Sequence, residues 1–180
     1  MTAMHNHRKA AGFTMLEVLI SMVIIAFGLL GVAGLQAFAL KNSTSASQRL
    51  TATALANDMM DRLKSNYAAV DTGGYNRPAI ADYDAPSTCG ANPTPSTVCT
   101  AEEIAANDRF EWQQRIARAL PNGRGVVCRD STPNDGPTSA DHQCDNAGFV
   151  MFAVKIWWSD DRTSRAVTVA PERFSTAFNP

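Results

Sequence analysis

The sequence lacks proline between residues 13 and 66 and, apart from Glu17, lacks charge between residues 13 and 40. The lack of proline allows one uninterrupted helix, and the lack of charge makes its first part apolar enough to enter a membrane. At about 1.5 Å per residue, residues 13–40 would form a helix of about 40 Å, longer than a hydrocarbon core of about 30 Å. We predict a transmembrane anchor over 13–40, and an amphipathic continuation over 41–66. Its apolar side is predicted to contain Leu50, Leu55, Met59 and Leu63.

The sequence also lacks the common motifs of enzymes and the positive charge typical of nucleic-acid-binding proteins. The chain contains no G-x-S-x-G, phosphate-binding-loop or dinucleotide-binding motif, and His142 is its only histidine after the apolar stretch. The net charge of −1 gives no strong field that would attract nucleic acid. We therefore expect no catalytic residues, no cofactor and no nucleic-acid partner.

Cysteine is absent from the first 88 residues, and the four cysteines all follow the anchor. In an oxidising compartment they would form two disulfides, for which three connectivities are open. We favour the pairing of sequence neighbours, because it closes two short loops: Cys89 with Cys99, and Cys128 with Cys144. A zinc site is the alternative, but the spacing is not that of paired C-x-x-C motifs.

Acidic residues after Cys128 raise a second metal alternative, a calcium loop. It would use Asp130, Thr132, Asn134, Asp135 and Asp141. Gly136 is one position too late for an EF-hand loop, and the final bidentate glutamate is missing. Ordinary turn chemistry explains the same residues, so we predict no metal site.

Residues 1–12 form a short polar leader whose basic side chains, Arg8 and Lys9, favour a cytoplasmic location. A secretory signal peptide is one alternative, but the apolar stretch is too long for it. A plain signal anchor is another, but it does not explain Glu17, because a charge at the bilayer centre costs about 2.5–3.5 kcal/mol. Thr14 and Glu17 have the spacing of a capping box, which is worth only about 1–2 kcal/mol.

The stretch AAGFTMLEVLISMVIIAFGLLGVAGLQ resembles the leader and N-terminal helix of type IV pilins and pseudopilins. The resemblance implies that a prepilin peptidase cuts between Gly12 and Phe13, and that the new N-terminal amine of Phe13 is methylated. It also implies that Glu17 pairs with the N-terminal amine of a neighbouring subunit and sets the axial register of packed helices. Opposite charges buried together cost far less than either charge alone.

Residues 67–180 read as the globular domain of an α+β protein. We predict a loop over 68–100, a second helix from Thr100 or Ala101 to Leu120 with a possible break near Asn107, and three antiparallel strands at about 125–129, 148–158 and 165–170. Trp157 and Trp158 would point to opposite faces of the middle strand. One should be buried, and the other should be exposed or covered by a partner subunit.

Later segments, including ATALANDMMDRLKSN, RFEWQQRIARALPNGRGVV and VKIWWSDD, resemble the PilV group of minor pilins. This resemblance implies a subunit anchored by one helix in the inner membrane, with a periplasmic globular domain, that later joins the tip of a type IV pilus at the cell surface. The implied partners are the prepilin peptidase, other minor pilins, the major pilin, the inner-membrane assembly platform and, before assembly, membrane lipid. A pseudopilin of a type II secretion system and a tip adhesin or DNA-binding subunit are the alternatives.

Overall fold

The computed structural model describes residues 13–79, 83, 99–146, 151–159 and 171–179. The chain divides into two compact units, residues 1–44 and residues 45–180. The described elements are three helices followed by three strands. They are α1 (Met15–Ser65), α2 (Tyr67–Asp71), α3 (Ala101–Ala119), β1 (Arg124–Arg129), β2 (Phe152–Trp158) and β3 (Glu172–Phe178). This architecture confirms the predicted α+β class, with a long apolar N-terminal helix and a small antiparallel sheet.

The helix α1 is continuous over 51 residues and confirms the long helix that the lack of proline predicts. In the first unit the large apolar side chains from Phe13 to Leu40 are 44–89% exposed. The helix is long and apolar enough to cross a membrane. Since water does not favour such a surface, these residues need lipid or other helices around them.

The second unit begins in the polar part of α1 and buries one side of it. The buried apolar residues are Ala52, Ala56, Met59 and Leu63, which recur at helical spacing. The prediction was right for Met59 and Leu63 but wrong for Leu50, which is 73% exposed. The core side of α1 is centred on two alanines, whose small side chains allow close packing.

The helices α2 and α3 follow. The expected loop over 68–100 contains α2 at its start, while most of residues 80–98 lie outside the described part of the chain. The predicted bounds of α3 are confirmed, and Thr100 caps it in a complete capping box with Glu103. The expected break near Asn107 is wrong, because the helix runs through that position without interruption. Asp108 instead accepts hydrogen bonds from Tyr75 Oη and from Arg62, both at 2.5 Å.

The three strands form one antiparallel sheet in the order β1-β2-β3. Val127 lies opposite Val154, and Lys155 lies opposite Ser175. The first two strands confirm the prediction, although residues 148–150 lie outside the described part. The predicted third strand at 165–170 also lies outside it, and the observed third strand is Glu172–Phe178.

One face of the sheet packs on the helices. Phe152, Val154, Ile156 and Trp158 of β2 share a core with α1 and α3, including Trp112 and Ile116. The opposite face is covered by residues 130–146, which connect β1 to the segment before β2. All seven residues of β2 are therefore buried.

Candidate assembly motif and the loop that covers the sheet

The acidic group of the N-terminal motif is the Glu17 carboxylate, which has no partner within the described residues. Thr14 caps α1, because its Oγ1 accepts a hydrogen bond from the Glu17 backbone N–H at 3.3 Å. Within the described residues, the Thr14 backbone N–H does not donate a hydrogen bond to the Glu17 carboxylate, so only half of the predicted capping box forms. The Glu17 side chain is exposed and has no ion-pair partner within the described residues. Helix capping therefore does not use the carboxylate.

The predicted cleavage site between Gly12 and Phe13 is only partly described. Phe13 is the first described residue and is 83% exposed, whereas Gly12 lies outside the described residues. Glu17 is four positions after Phe13, and Ser21 is four positions further and donates a hydrogen bond to the Glu17 carbonyl at 2.7 Å. Glu17 and Ser21 therefore lie on the same side of α1, one turn apart.

Residues 130–146, which we call the covering loop, form the second notable feature. A disulfide joins Cys128 in β1 to Cys144 near the end of the loop, with their Cα atoms 6.1 Å apart. This confirms one of the two predicted pairs. Cys99 is also in a disulfide, while its expected partner Cys89 lies outside the described residues.

The covering loop corrects the prediction for the two tryptophans. Trp157 is 2% exposed and Trp158 is 1% exposed, so neither ring offers a surface to a partner subunit. Trp158 belongs to the core between sheet and helices. Trp157 packs with Val126, Cys128 and Cys144 under the loop and donates an indole hydrogen bond to the Gly136 carbonyl at 3.1 Å. The expectation that one indole is exposed or covered by another subunit is wrong, because the chain covers both itself.

Gly136 is suited to this position by its backbone. Its φ angle is +82°, and a side chain there would collide with the backbone of His142. Its carbonyl accepts a second hydrogen bond, from Arg173 of β3 at 2.9 Å. The turn at Gly136 thus connects the covering loop to β2 and β3.

Lys155 lies at the centre of the covered face, and its side chain is fully buried. Its ammonium forms an ion pair with Asp130, which is also fully buried, and a second with Asp135 Oδ1 at 2.6 Å. It also donates to the backbone carbonyls of His142 at 2.9 Å and Asp135 at 3.3 Å. A buried ammonium needs such a shell of acceptors, since an unpaired one would be strongly unfavourable.

The Lys155 ammonium and the covering loop also determine the pKa of Asp135. Partial burial of the Asp135 carboxyl acts to raise its pKa, but hydrogen bonds from Lys155 and Thr132 and the nearby positive charge outweigh it. The pKa of Asp135 is therefore lower than that of an ordinary aspartate. The ionised form is the one that the covering loop stabilises.

These contacts bear on the two metal alternatives. Asp130 and Asp135, two of the proposed calcium ligands, both contact the Lys155 ammonium, so a cation of the protein itself lies between them. Cys128 and Cys144 lie close to Asp130, but their sulfurs are bonded to each other and cannot act as thiolate ligands. Sequence reasoning missed the role of Lys155. The sequence does contain a signal for it: Lys155 is the one charged residue in an otherwise apolar strand, and a buried charge requires a partner of opposite charge.

In a comparison with protein families, residues 7–33 match the family described as the prokaryotic N-terminal methylation motif. The matched segment contains the leader's basic residues, Phe13, Glu17 and the apolar stretch as far as Ala33. Comparisons with curated proteins and with solved structures gave no match. The motif implies processing by a prepilin peptidase and assembly with other pilins. The N-terminal motif and the α+β fold together support a type IV pilin-like protein of a pilus or a pseudopilus.

Proposed function

We propose that this chain is a minor pilin of the PilV type, which joins a minor-pilin complex that primes type IV pilus assembly and lies at the pilus tip. The observation that carries the proposal is the exposed carboxylate of Glu17, four residues after Phe13 in the matched motif. Cleavage after Gly12 would create a positive amine on Phe13. The free carboxylate of one subunit could then pair with the amine of another within an apolar helix bundle.

The proposed location follows from the two units. The exposed apolar side chains of residues 13–40 would lie in the inner membrane before assembly, and the basic leader would stay in the cytoplasm. The globular domain would then be periplasmic, where the disulfide between Cys128 and Cys144 is stable. After assembly the same apolar surface would contact the helices of neighbouring subunits.

The charge of the mature chain argues against a DNA receptor. Removal of Arg8 and Lys9 with the leader leaves 14 of the 16 lysines and arginines against 17 acidic residues, a net charge of −3. Nonspecific DNA binding depends on clustered basic residues that neutralise phosphates. A structural role in assembly therefore fits the chain better than a nucleic-acid-binding role.

The test is a deletion strain complemented with the wild-type chain, with Glu17→Gln or with Ser21→Ala. Ser21 lies one turn from Glu17 on the same side of α1. Ser21→Ala is therefore the matched control, because it removes a polar group from the same side of the helix but keeps the carboxylate. We expect few or no pili in the deletion strain, normal type II secretion, rescue by Ser21→Ala, and no rescue by Glu17→Gln although its leader is removed. Normal pili with failed secretion would instead identify a pseudopilin.

A further inference from the structure

The two edges of the sheet differ in how their backbone groups are satisfied. In β1, the outward-facing backbone N–H groups all donate to side chains of the same chain. Gly125 donates to Gln113 Oε1 at 3.0 Å, Val127 to Tyr83 Oη at 2.9 Å, and Arg129 to Asn76 Oδ1 at 2.8 Å. Side chains therefore close the β1 edge against another strand.

The alternation of the ladder shows which groups of β3 face outward. The backbone N–H groups of residues 125, 127 and 129 point away from β2. The backbone groups of the residues between them, such as Val126, therefore form hydrogen bonds with β2, and Val126 is paired with Lys155. The adjacent residues of β2, including Val154 and Ile156, must then bond to β3, where they pair with Thr176 and Phe174. The N–H and C=O groups of Arg173, Ser175 and Ala177 consequently point away from the sheet.

This outer edge of β3 is open within the described residues. None of the backbone groups of Arg173, Ser175 and Ala177 has a hydrogen-bond partner there, and all three residues are half-buried rather than enclosed. The strand ERFSTAF contains no proline, lysine or bulge, and it pairs with β2 over all seven residues. Its charged residues are engaged elsewhere, since Glu172 pairs with Arg49 and the Arg173 side chain binds carbonyls of the covering loop. Within the described part of the chain, the usual devices that protect an exposed edge are therefore missing.

We propose that the open edge of β3 accepts a β-strand from another pilin-like subunit. A row of unpaired N–H and C=O groups is complementary to an extended backbone, and strand addition satisfies them directly. The closed β1 edge means that copies of this chain cannot join β3 to β1 head to tail. Pairing of β3 with β3 would be symmetric and would end at a dimer, whereas filament contacts are head-to-tail. A strand of a different subunit is therefore the occupant, an identification that rests on the pilin-like role.

The test uses the full chain in its own host, with a photoreactive benzoylphenylalanine at one of two exposed positions. Asn179 directly follows β3, and Arg124 begins β1 at the closed edge. Each probe is combined with Ser175→Pro, which removes an outward N–H, or with Ser175→Ala as the matched control. Ser175→Ala loses the same hydroxyl contact to Asn134 but keeps the N–H group. Proline is tolerated on an edge strand where its nitrogen faces away from the ladder.

We expect the Asn179 probe to give an adduct whose cross-linked peptide maps to an extended segment of another pilin-like subunit, and the Arg124 probe to give none. Ser175→Pro should reduce the adduct about tenfold relative to Ser175→Ala, equivalent to about 1.4 kcal/mol. An adduct between two copies of this chain, no adduct at Asn179, or equal adducts in the two variants would each overturn the proposal. The assay reads cross-links rather than pili, so it stays informative if the chain serves secretion instead.

Hydrogen exchange on the wild-type protein gives an independent reading if Ser175→Pro does not fold. In the purified full chain, the amides of Arg173, Ser175 and Ala177 should exchange much faster than those of Gly125 and Val127. In the assembled complex the three β3 amides should become protected, while the β1 amides stay unchanged. Slow exchange of the β3 amides in the free chain, or no gain of protection on assembly, would contradict an open edge that is filled by a partner strand.

Discussion

Replacement of Lys155 by methionine should strongly destabilise the globular unit. Methionine keeps most of the apolar stem but removes the ammonium that faces the fully buried carboxylate of Asp130. An uncompensated buried charge typically costs about 3–5 kcal/mol. Asp135 adds less, because its side chain is 31% exposed and remains partly solvated without Lys155. We therefore expect a loss of about 3–5 kcal/mol in the free energy of unfolding.

The assay is denaturant unfolding of the full chain in mild detergent, followed by tryptophan fluorescence. All three tryptophans lie in the globular unit, so the signal reports on that unit alone. Lys64→Met is the matched control, since Lys64 is 54% exposed and its ion pair with Asp61 is a surface pair worth less than about 1 kcal/mol. A Lys155→Met variant that loses no more stability than Lys64→Met would show that the buried ion pair does not stabilise the globular unit.

A double variant separates the lost ion pair from general damage to the sheet. Asp130→Asn removes the buried charge and keeps an oxygen for the hydrogen bond that Asp130 Oδ1 accepts from the Thr132 N–H at 3.0 Å. Combined with Lys155→Met, it should recover at least about 1 kcal/mol of the loss, because no unpaired charge remains. A double variant that is less stable than Lys155→Met alone would mean that charge pairing is not the reason for the loss.

The remaining predictions concern the same unit. Cys128→Ala with Cys144→Ala should lower the free energy of unfolding by about 3 kcal/mol, measured by denaturant titration, because the disulfide closes a loop of 16 residues. Millimolar calcium should leave the melting temperature unchanged, because the Lys155 ammonium lies between the two candidate carboxylates; a clear rise in melting temperature would contradict this. Trp157→Phe should cost about 1 kcal/mol more than Trp158→Phe in the same titration, because among the described residues the Trp157 indole N–H has an acceptor and the Trp158 indole N–H has none.

Stability should also depend on pH at both ends of the scale. The pKa of Asp135 is lowered in the folded state, so its contribution is present at neutral pH and is lost as pH falls below about 3.9, the ordinary aspartate pKa. Burial and the hydrogen bond to Asp108 raise the pKa of Tyr75, so its contribution is present at neutral pH and is lost as pH rises above about 10. Tyr75→Phe should remove the alkaline part of the profile, and an unchanged alkaline profile would contradict this origin.

Local patterns in the sequence predicted α1, α3, β1 and most of β2 well. Each of these elements has either a long periodic apolar pattern or clear end signals such as Thr100 and Glu103. The disulfide between Cys128 and Cys144 could also be predicted, because the two residues follow each other among the four cysteines of the sequence. The leader and Glu17 were recognisable because a charge in an apolar helix is costly unless it has a use.

The features that local patterns missed depend on long-range contacts. Lys155 and Trp157 alternate with apolar residues and so suggested a half-exposed strand, but a polar loop folds back over them. Nothing in the composition of that loop indicates that Gly136 and Asp135 meet β2. The sequence ERFSTAF has only one β-branched residue and so gives little intrinsic signal for a strand, but its pairing with β2 places Phe178 opposite Phe152.

Mass spectrometry of the N-terminal peptide of the mature protein, isolated from its own host, tests directly whether the leader is removed and the new N-terminus methylated. We expect a peptide that begins at Phe13 and carries one methyl group on its amine. A host without the prepilin peptidase should yield a chain that keeps residues 1–12. An N-terminus near Ala33 would identify a secretory signal peptide, and an uncut chain in the normal host would identify a plain membrane anchor. Either result would contradict the assignment as a type IV pilin-like protein.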